Sequence, residues 1–360
     1  MAGLSGFSYY KAITISNTNV DADISLFPVY VPIVDDATIG GHCVGTNGYD
    51  VQFANSDNSE ALSFERIYWN NPAGTANGDF YVLVPVVDGD APTVIRCYYG
   101  KSGESDLSAP ATVFNTTNNW VAVWHLEESG SGYLDATGND NDSVAQVAPT
   151  RVAGKVGYGQ GFANAEYIQI ADSNSLDIGT ADFSFSSWVK KTGTGVDYIF
   201  AHRNASSGAG VSAFFSAGVD PDRLGCNIED ADNIEVGCFI APSDIAYNTW
   251  YHLAFTCDRD NIDGFVAYKN GAVRGDVDPT TAQLSLASNQ PAYIGASSAI
   301  PGYPLTGILD EIRVSNIVRP AAWVKFECLN MDDGHAAGNE LSWGEELGGM
   351  PETIGLIWTR

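Results

Sequence analysis

Short apolar or alternating runs, separated by turns rich in Gly, Asn, Asp and Pro, recur along this chain of 360 residues. Such runs predict β-strands, because neighbouring side chains of a strand point to opposite faces. In the first third of the chain, the predicted strands are Tyr9–Ile15, Val51–Phe53, Tyr81–Val87 and Val94–Tyr99. From Trp120 onward, they are Tyr167–Ile170, Phe183–Lys190, Tyr198–His202, Val211–Ala217, Trp250–Cys257, Phe265–Lys269, Ala292–Gly295 and Ile308–Val314.

Two local signals indicate how these strands are arranged. Phe183, Phe185 and Val189 share one face of their strand, as a half-buried strand requires. Asn270-Gly271, between two β-rich segments, is typical of a type I′ hairpin turn. Many short strands joined by turns favour a sandwich or jelly roll.

One segment predicts a helix, and another predicts a boundary between domains. Residues 319–328 have Pro near the first turn, where its missing N–H has no cost. Lys101–Asn119 is polar and shows little periodicity, which is typical of a linker. We therefore predict an all-β protein with an N-terminal β-sandwich over residues 1–105 and a linker over 106–119. A second β domain over 120–320 and a C-terminal helix and tail over 321–360 complete the chain.

The charge balance excludes one class of partner. With 44 acidic against 17 basic residues, the formal net charge is −27, which repels phosphate backbones and excludes nucleic-acid binding. No run approaches the roughly 20 apolar residues of a membrane span, so membrane insertion is not expected. Residues 1–7 lack the basic and apolar regions of a signal peptide. We expect either a mature product or a protein released by another route, such as virus particles freed by lysis.

The six cysteines are scattered and include no Cys-x-x-Cys pair, so a zinc site is not expected. Cys226 and Cys238 lie in two segments that read as the arms of one hairpin, which would bring them face to face. They are either bridged or free buried thiols that act as small hydrophobes, and the second is our expectation.

A set of motifs in the second half of the chain occurs together and suggests a family. The set comprises Trp124-His125-Leu126, Asp135–Asn141, Tyr167–Ile170, Phe183–Val189, Trp250–Ala254, Tyr268–Gly271, Tyr293–Gly295 and Gly307–Arg313. With it, residues 120–320 resemble the laminin-G-like, concanavalin A-like jelly rolls of bacterial and phage surface proteins. Residues 1–100 are similar to a β-rich family of unknown function that often precedes this jelly roll, through Tyr10–Asn17, Asp50–Ala54 and Ile95–Gly100.

This resemblance also suggests a structural calcium ion. Asp135, Asn139 and Asn141 supply oxygen atoms from one loop, and the jelly roll would place Asp310 of a late strand beside it. Similar domains often hold calcium in this region, and oxygen ligands in a flexible loop favour calcium. The alternative is an Asx-rich turn held by its own hydrogen bonds.

No catalytic arrangement emerges from the sequence. Glycoside hydrolysis needs two carboxylates across a cleft. Glu127-Glu128 and Asp310-Glu311 are sequence neighbours, which point to opposite faces of a strand. Aromatic residues in loops or the tail are candidates for stacking against sugars, with core packing as the alternative for each: Tyr133, Tyr158, Tyr303, Trp343 and Trp358.

The sequence thus predicts a non-enzymatic, acidic adhesion or display protein on a virion surface, as a phage capsid decoration, fibre or tail-associated protein. Its jelly roll would bind a glycan or another host-surface ligand, and protein neighbours or further copies of the chain would hold it in an assembly. The alternatives are a secreted bacterial adhesin or carbohydrate-binding module, outside the cell or on its surface, and a purely structural scaffold.

Overall fold

The computed structural model describes residues 4–163, 165–204, 208–216, 223–241, 244–297, 302–332 and 340–348. These residues belong to two compact units. The first unit runs to Val113 and resumes at Leu329, and the second unit comprises residues from Phe114 to Cys328. The first unit therefore takes residues from both halves of the chain.

The strands in the described residues are numbered in chain order. Those of the first unit begin with β1 (Tyr9–Ile15), β2 (Ile24–Asp36), β3 (Val51–Asn55), β4 (Ala61–Leu62), β5 (Phe64–Asn70), β6 (Ala76–Val87) and β7 (Thr93–Tyr99). The second unit contains β8 (Trp120–Trp124), β9 (Ser143–Val147), β10 (Thr150–Ala153), β11 (Tyr158–Phe162), β12 (Tyr167–Ile170), β13 (Phe183–Lys191), β14 (Asp197–Arg203), β15 (Gly210–Ser216), β16 (Arg223–Glu229), β17 (Glu235–Ile240), β18 (Tyr251–Cys257), β19 (Phe265–Lys269), β20 (Ala272–Val277), β21 (Ala292–Ile294) and β22 (Gly307–Ser315). The last strand, β23 (Leu341–Gly348), returns to the first unit. The helices are α1 (Ala37–His42), α2 (Pro110–Val113), α3 (Ala321–Asp332) and a 3₁₀ turn at Thr116–Asn118.

The first unit is built from two antiparallel sheets. Sheet 1 has the strand order β23-β1-β7-β3-β4, and sheet 2 has the order β2-β6-β5. The ring of Phe53 in sheet 1 lies 5.4 Å, between centroids, from both Phe64 and Phe80 in sheet 2. The two sheets therefore pack face to face as a sandwich. Strand β23 lies in a segment for which the sequence predicted only a tail, and it pairs with β1 at one edge of sheet 1.

The second unit is also a sandwich of two sheets. Sheet 3 has the order β10-β11-β22-β13-β18-β19-β20, and β8 pairs with the free end of β22. Sheet 4 has the order β17-β16-β15-β14-β21-β12-β9. Phe185 and Leu253 of sheet 3 share one buried core with Ile199 and Phe215 of sheet 4. The predicted all-β class is thus confirmed.

Local predictions that rest on strong signals are confirmed as well. Asn270 and Gly271 have φ angles of 51° and 74° and connect β19 to β20, as a type I′ turn requires. Helix α3 begins directly after Pro320. Cys226 and Cys238 are register partners on β16 and β17 and are free, buried thiols. None of the helices in the described residues combines the length and apolar character that crossing a bilayer needs.

Candidate functional site

The Asp135 side chain, which was predicted to bind calcium, is buried and accepts four hydrogen bonds from the protein. Its Oδ1 atom accepts from the N–H groups of Val123 and Thr137, both at 2.9 Å. Its Oδ2 atom accepts from the Thr137 hydroxyl at 2.8 Å and from the N–H of Asn141 at 3.0 Å. Burial raises the pKa of Asp135, whereas these donors act to lower it.

The two asparagines of the loop complete the same network. The side-chain amides of Asn139 and Asn141 both donate to the carbonyl oxygen of Val121, at 2.8 and 3.0 Å. The Asn141 amide oxygen accepts from the Ser175 hydroxyl at 2.7 Å. These contacts match the alternative of an Asx-rich turn held by its own hydrogen bonds.

Asp310 lies on β22, where it contacts another loop. Its Oδ2 atom accepts from the N–H groups of Lys155 and Val156, at 2.6 and 2.9 Å. A Cβ atom on Gly154 would stand 2.5 Å from this oxygen, which explains why glycine occupies that position. None of the contacts described for Asp310 involves the loop that contains Asp135.

This arrangement does not fit a calcium ion bound by all four predicted residues. The carboxylate oxygens of Asp135 and the amide oxygen of Asn141 already accept hydrogen bonds, whereas calcium takes six to eight oxygen ligands. Within the described ranges, no three His, Cys, Asp or Glu side chains are grouped closely enough to hold a metal ion. Calcium binding stays a prediction from the sequence, and these contacts do not favour it.

We expect that EDTA leaves the melting temperature of the protein unchanged, because protein donors already satisfy the Asp135 carboxylate. A calcium ion bound to the folded protein, at a calcium concentration 100 times its Kd, would add about 2.7 kcal/mol to the free energy of unfolding. Such a gain would raise the melting temperature by roughly 5–10 °C. Differential scanning calorimetry with EDTA, calcium chloride and magnesium chloride measures this. A rise of that size with calcium alone would support the calcium prediction instead.

A second group of ionisable residues in this unit is buried in ion pairs. Glu311 contacts His125 and Arg313, both at 2.8 Å, and Arg313 also contacts Glu327 at 3.2 Å. Burial acts to raise the pKa of Glu311, but the positive charges of His125 and Arg313 outweigh it and hold this pKa below its usual value. The pKa of the adjacent Asp310 is raised well above its usual value by burial and by the charge of Glu311.

The Asp310-Glu311 pair does not form an open hydrolase site. Asp310 and Glu311 are at most 1% exposed, so a polysaccharide cannot reach them. Glu127 contacts Arg151 at 3.2 Å, and Glu128 accepts a hydrogen bond from the N–H of Leu134 at 2.9 Å. Both pairs therefore hold the surrounding loops and strands together.

The most distinctive surface of the second unit is a line of aromatic rings on the face of sheet 4 that points away from the core. Tyr198, Phe214, Gly225 and Phe239 are register partners on β14, β15, β16 and β17. They form one row across four strands. Phe215, the sequence neighbour of Phe214, points into the core, as alternation along a strand requires.

The rings of this row contact one another. Tyr303 stacks on Tyr198 with 6.0 Å between centroids and 27° between planes, and the N–H of Tyr198 donates to the Tyr303 carbonyl at 3.1 Å. Tyr198 stacks on Phe214 at 5.0 Å and 18°, and Phe214 meets Phe239 edge to face at 6.2 Å. The guanidinium carbon of Arg223 lies 3.5 Å from the centroid of Phe239. We call Tyr303, Tyr198, Phe214 and Phe239 the aromatic row.

One end of the aromatic row is exposed, and its middle is buried. Tyr198 and Phe214 are 9% and 8% exposed, whereas Tyr303 is 56% exposed and Phe239 is half-buried. A Cβ atom on Gly225 or Gly237 would collide with the ring of Phe239. These two glycines therefore let that ring lie flat against the sheet.

Polar residues border the aromatic row on the same face. The next row across the four strands is Ala201, Ser212, Asn227 and Gly237, and the row after that is Arg203, Gly210, Glu229 and Glu235. Arg203 contacts Glu229 at 2.8 Å, and the Asn227 amide donates to Glu235. Aromatic ring faces beside amide and charged groups can hold a ligand that has both an apolar face and hydroxyl groups.

The predicted sugar-stacking residues have different environments. Tyr133 is fully buried, and Tyr158 is partly exposed beneath the guanidinium group of Arg151. Trp343 is partly exposed on β23, and Trp358 lies outside the described residues. Tyr303 alone among these five joins the aromatic row.

Tyr198, Phe214 and Phe239 were not predicted as site residues, because each lies in an ordinary β-rich segment. The signal was present in Phe214-Phe215, since two adjacent aromatic residues of one strand cannot both face the core. The row itself depends on the register between strands, which the sequence does not specify.

Comparison with known families identifies the central part of the chain. Residues 162–325 match the family model described as the Concanavalin A-like lectin/glucanases superfamily, of the laminin-G type. This region is a laminin-G-like, concanavalin A-like jelly roll, which confirms the resemblance predicted from its motifs. No curated protein sequence matches the chain.

Three solved structures are similar to part of this chain. The chain is similar to the binding domain of Paraclostridial Mosquitocidal Protein 1, with 15% identity, 60% of this chain and 53% of that chain covered, and a TM-score of 0.49. It is also similar to the receptor-binding domain of botulinum neurotoxin C/D mosaic serotype (9% identity, 59% and 51% covered, TM-score 0.46). For the botulinum neurotoxin serotype G binding domain, the values are 14% identity, 58% and 50% covered, and a TM-score of 0.45. The chain spans about half the length of these structures.

Proposed function

We propose that the laminin-G-like jelly roll is a non-enzymatic carbohydrate-binding module and that the aromatic row is its binding surface. The observation that carries this proposal is the line of four contacting rings, with Tyr303 exposed at one end and Phe239 half-buried at the other. The buried rings of Tyr198 and Phe214 hold the row in place.

The chemistry of a sugar ring suits this surface. The C–H face of a pyranose packs against an aromatic ring, and its hydroxyl groups need donors and acceptors nearby. Asn227 and Glu235 place an amide and a carboxylate beside Phe239, and the guanidinium group of Arg223 lies over that ring. Because the chain carries a net charge of −27, neutral glycans are favoured over acidic ones.

The acidic residues support a role in binding over one in hydrolysis. Inverting and retaining glycosidases both place two carboxylates beside the scissile bond. Asp310 and Glu311 are buried and cannot contact a polysaccharide.

We expect Tyr303→Ala and Phe239→Ala each to weaken glycan binding by about two- to tenfold, because one aromatic contact is worth about 0.5–1.5 kcal/mol. A glycan array identifies the ligand, with calcium and then with a chelator, and titration calorimetry measures the affinity of each variant. Tyr158→Ala is the matched control, since Tyr158 is an accessible tyrosine outside the aromatic row.

The outcomes separate the alternatives. If the control loses as much glycan affinity as the two variants do, the ligand does not bind at the aromatic row. If no glycan binds with or without calcium, the proposal fails and a purely structural scaffold is favoured.

The setting that we propose is the surface of a virus particle, with an extracellular or cell-surface adhesin as the alternative. The support is the resemblance of both halves of the chain to domains of phage and bacterial surface proteins. Mass spectrometry of purified particles tests it. We expect the number of copies of this protein per particle to match a symmetric assembly. If the protein is recovered only from the cell envelope, the alternative of a cell-surface adhesin is favoured.

A further inference from the structure

The first unit contains an open cleft that the proposed function does not use. The cleft has a volume of about 210 Å³ and lies between the loop that precedes β3 and the loop that follows β7. Asn47, Tyr49 and Asp50 come from the first loop, and Lys101 and Glu104 come from the second. A Cβ atom on Gly103 would have no neighbour within 4 Å, so this side of the cleft is open.

Asp50 is the buried polar group of this cleft. It is 3% exposed, and its Oδ2 atom accepts a hydrogen bond from the N–H of Val44 at 2.6 Å. Its Oδ1 atom is buried and has no hydrogen bond of normal geometry in the described part of the chain. The N–H groups of Asp50 and Gly100 lie close enough to the carboxyl group to act against the rise in its pKa. The thiol of Cys43, a weak donor, lies beside the carboxyl group.

Lys101 lines the cleft, and its ammonium group already contacts another carboxylate. The ammonium group of Lys101 contacts Glu104 at 2.6 Å and lies 5.1 Å from the centroid of the Phe7 ring. The ion pairs found among the described residues do not include Asp50. Burial raises the pKa of Asp50, since an ionised carboxyl group in a buried position is unfavourable without a cation beside it.

We propose that this cleft binds a primary ammonium group, held by Asp50 Oδ1, on a small polar ligand. An ammonium group carries one positive charge and three donors, so it supplies both the charge and the hydrogen bond that Oδ1 lacks. The Glu104 carboxylate and the Asn47 amide oxygen line the same cleft and offer acceptors for the other two donors. The net charge of −27 further raises the local concentration of cations.

A metal ion fits the cleft less well than an ammonium group. Calcium takes six to eight oxygen ligands. Asp50 is the buried carboxylate that lines the cleft, and one such carboxylate supplies too few oxygen atoms for this coordination number. Two sources of the ammonium group remain, a free diamine and the lysine side chain of a partner protein. The same chemistry serves both, and the probes below tell them apart.

The test is an NMR titration of the full chain with putrescine, Nα-acetyl-lysine amide and 1,4-butanediol. Butanediol has the chain length of putrescine without its charge. We expect the two amines to shift the backbone signals of residues 44–50 and 101–104 and butanediol to leave them unchanged. Tighter binding of putrescine indicates a free diamine, and tighter binding of the lysine derivative indicates a partner protein.

Asp50→Asn should weaken amine binding by at least about tenfold, because it removes the charge that pairs with the ammonium group. Lys101→Met is the matched control in the same cleft and should bind the amines equally well or more tightly. Equal binding of butanediol, or undiminished amine binding by Asp50→Asn, would overturn the proposal. If Asp50→Asn does not fold, the signal shifts in the unaltered chain decide, and shifts that avoid the two loops would also overturn it.

Discussion

Replacing Arg313 with methionine is expected to lower the free energy of unfolding of the second unit by about 3–5 kcal/mol, because it breaks a buried ion-pair network. Arg313 is 2% exposed and contacts both Glu311 and Glu327. Without the guanidinium group, these two carboxylates stay buried while one of their cationic partners is lost. Methionine fills much of the same volume, so the loss comes mainly from charge.

Urea unfolding followed by tryptophan fluorescence measures this loss. Arg151→Met is the matched control, since the pair of Arg151 with Glu127 is partly exposed and should contribute less than about 1 kcal/mol. A loss for Arg313→Met that is no larger than that of the control would show that the network contributes little.

Acid unfolding of the Arg313→Met variant should also have its midpoint at a higher pH than that of the unaltered protein. Because the pKa of Glu311 is lowered in the folded protein, its contribution to stability is present above the usual carboxyl pKa. It is lost as the pH falls through the lowered value. Arg313→Met removes one cause of the lowering, so the pKa of Glu311 rises and the midpoint of acid unfolding should move upward. An unchanged midpoint would contradict this assignment.

Replacing Asp135 with alanine is expected to destabilise the second unit by about 3–5 kcal/mol, since it leaves buried backbone N–H groups without acceptors. The N–H groups of Val123, Thr137 and Asn141 all donate to this carboxylate. Asp135→Asn keeps one acceptor oxygen, so it should lower the free energy of unfolding by less than Asp135→Ala does.

Asp278 provides the matched control for this prediction. It begins the same Asp-x-Thr sequence, and its Oδ1 atom accepts from the N–H and the hydroxyl of Thr280 at 2.8 and 2.6 Å, but on an exposed loop. Asp278→Ala should leave stability nearly unchanged. Thermal and urea unfolding compare the variants, and similar losses at Asp135 and Asp278 would show that burial does not set the cost.

Much of the fold was predictable because its signals are local. Alternation along Tyr9–Ile15 predicts β1 with its observed bounds, and the apolar faces of β13 and β18 predict their place in the core. Asn270-Gly271 predicts its hairpin because few residues tolerate two successive positive φ angles. The motifs of the second half also predicted the jelly-roll family.

Features that depend on contacts between distant parts of the sequence were harder to predict. The place of strand β23 beside β1 depends on pairing between residues about 330 positions apart, such as Ile13 with Trp343. Truncation after Asn330 would therefore remove an edge strand of sheet 1, in addition to any anchoring tail. Asp310 similarly accepts hydrogen bonds from Lys155 and Val156, whereas the sequence suggested that it would lie beside the loop that contains Asp135.

The sequence by itself determined many of the strands, the apolar faces of some of them and the family that the second unit resembles, because these properties depend on residues close together in the chain. The tertiary structure alone decided that Tyr198, Phe214 and Phe239 form one row and that the Asp135 carboxylate is saturated by hydrogen bonds. Register across a sheet and the burial of a polar group are set by contacts between distant segments, and only folding brings those segments together.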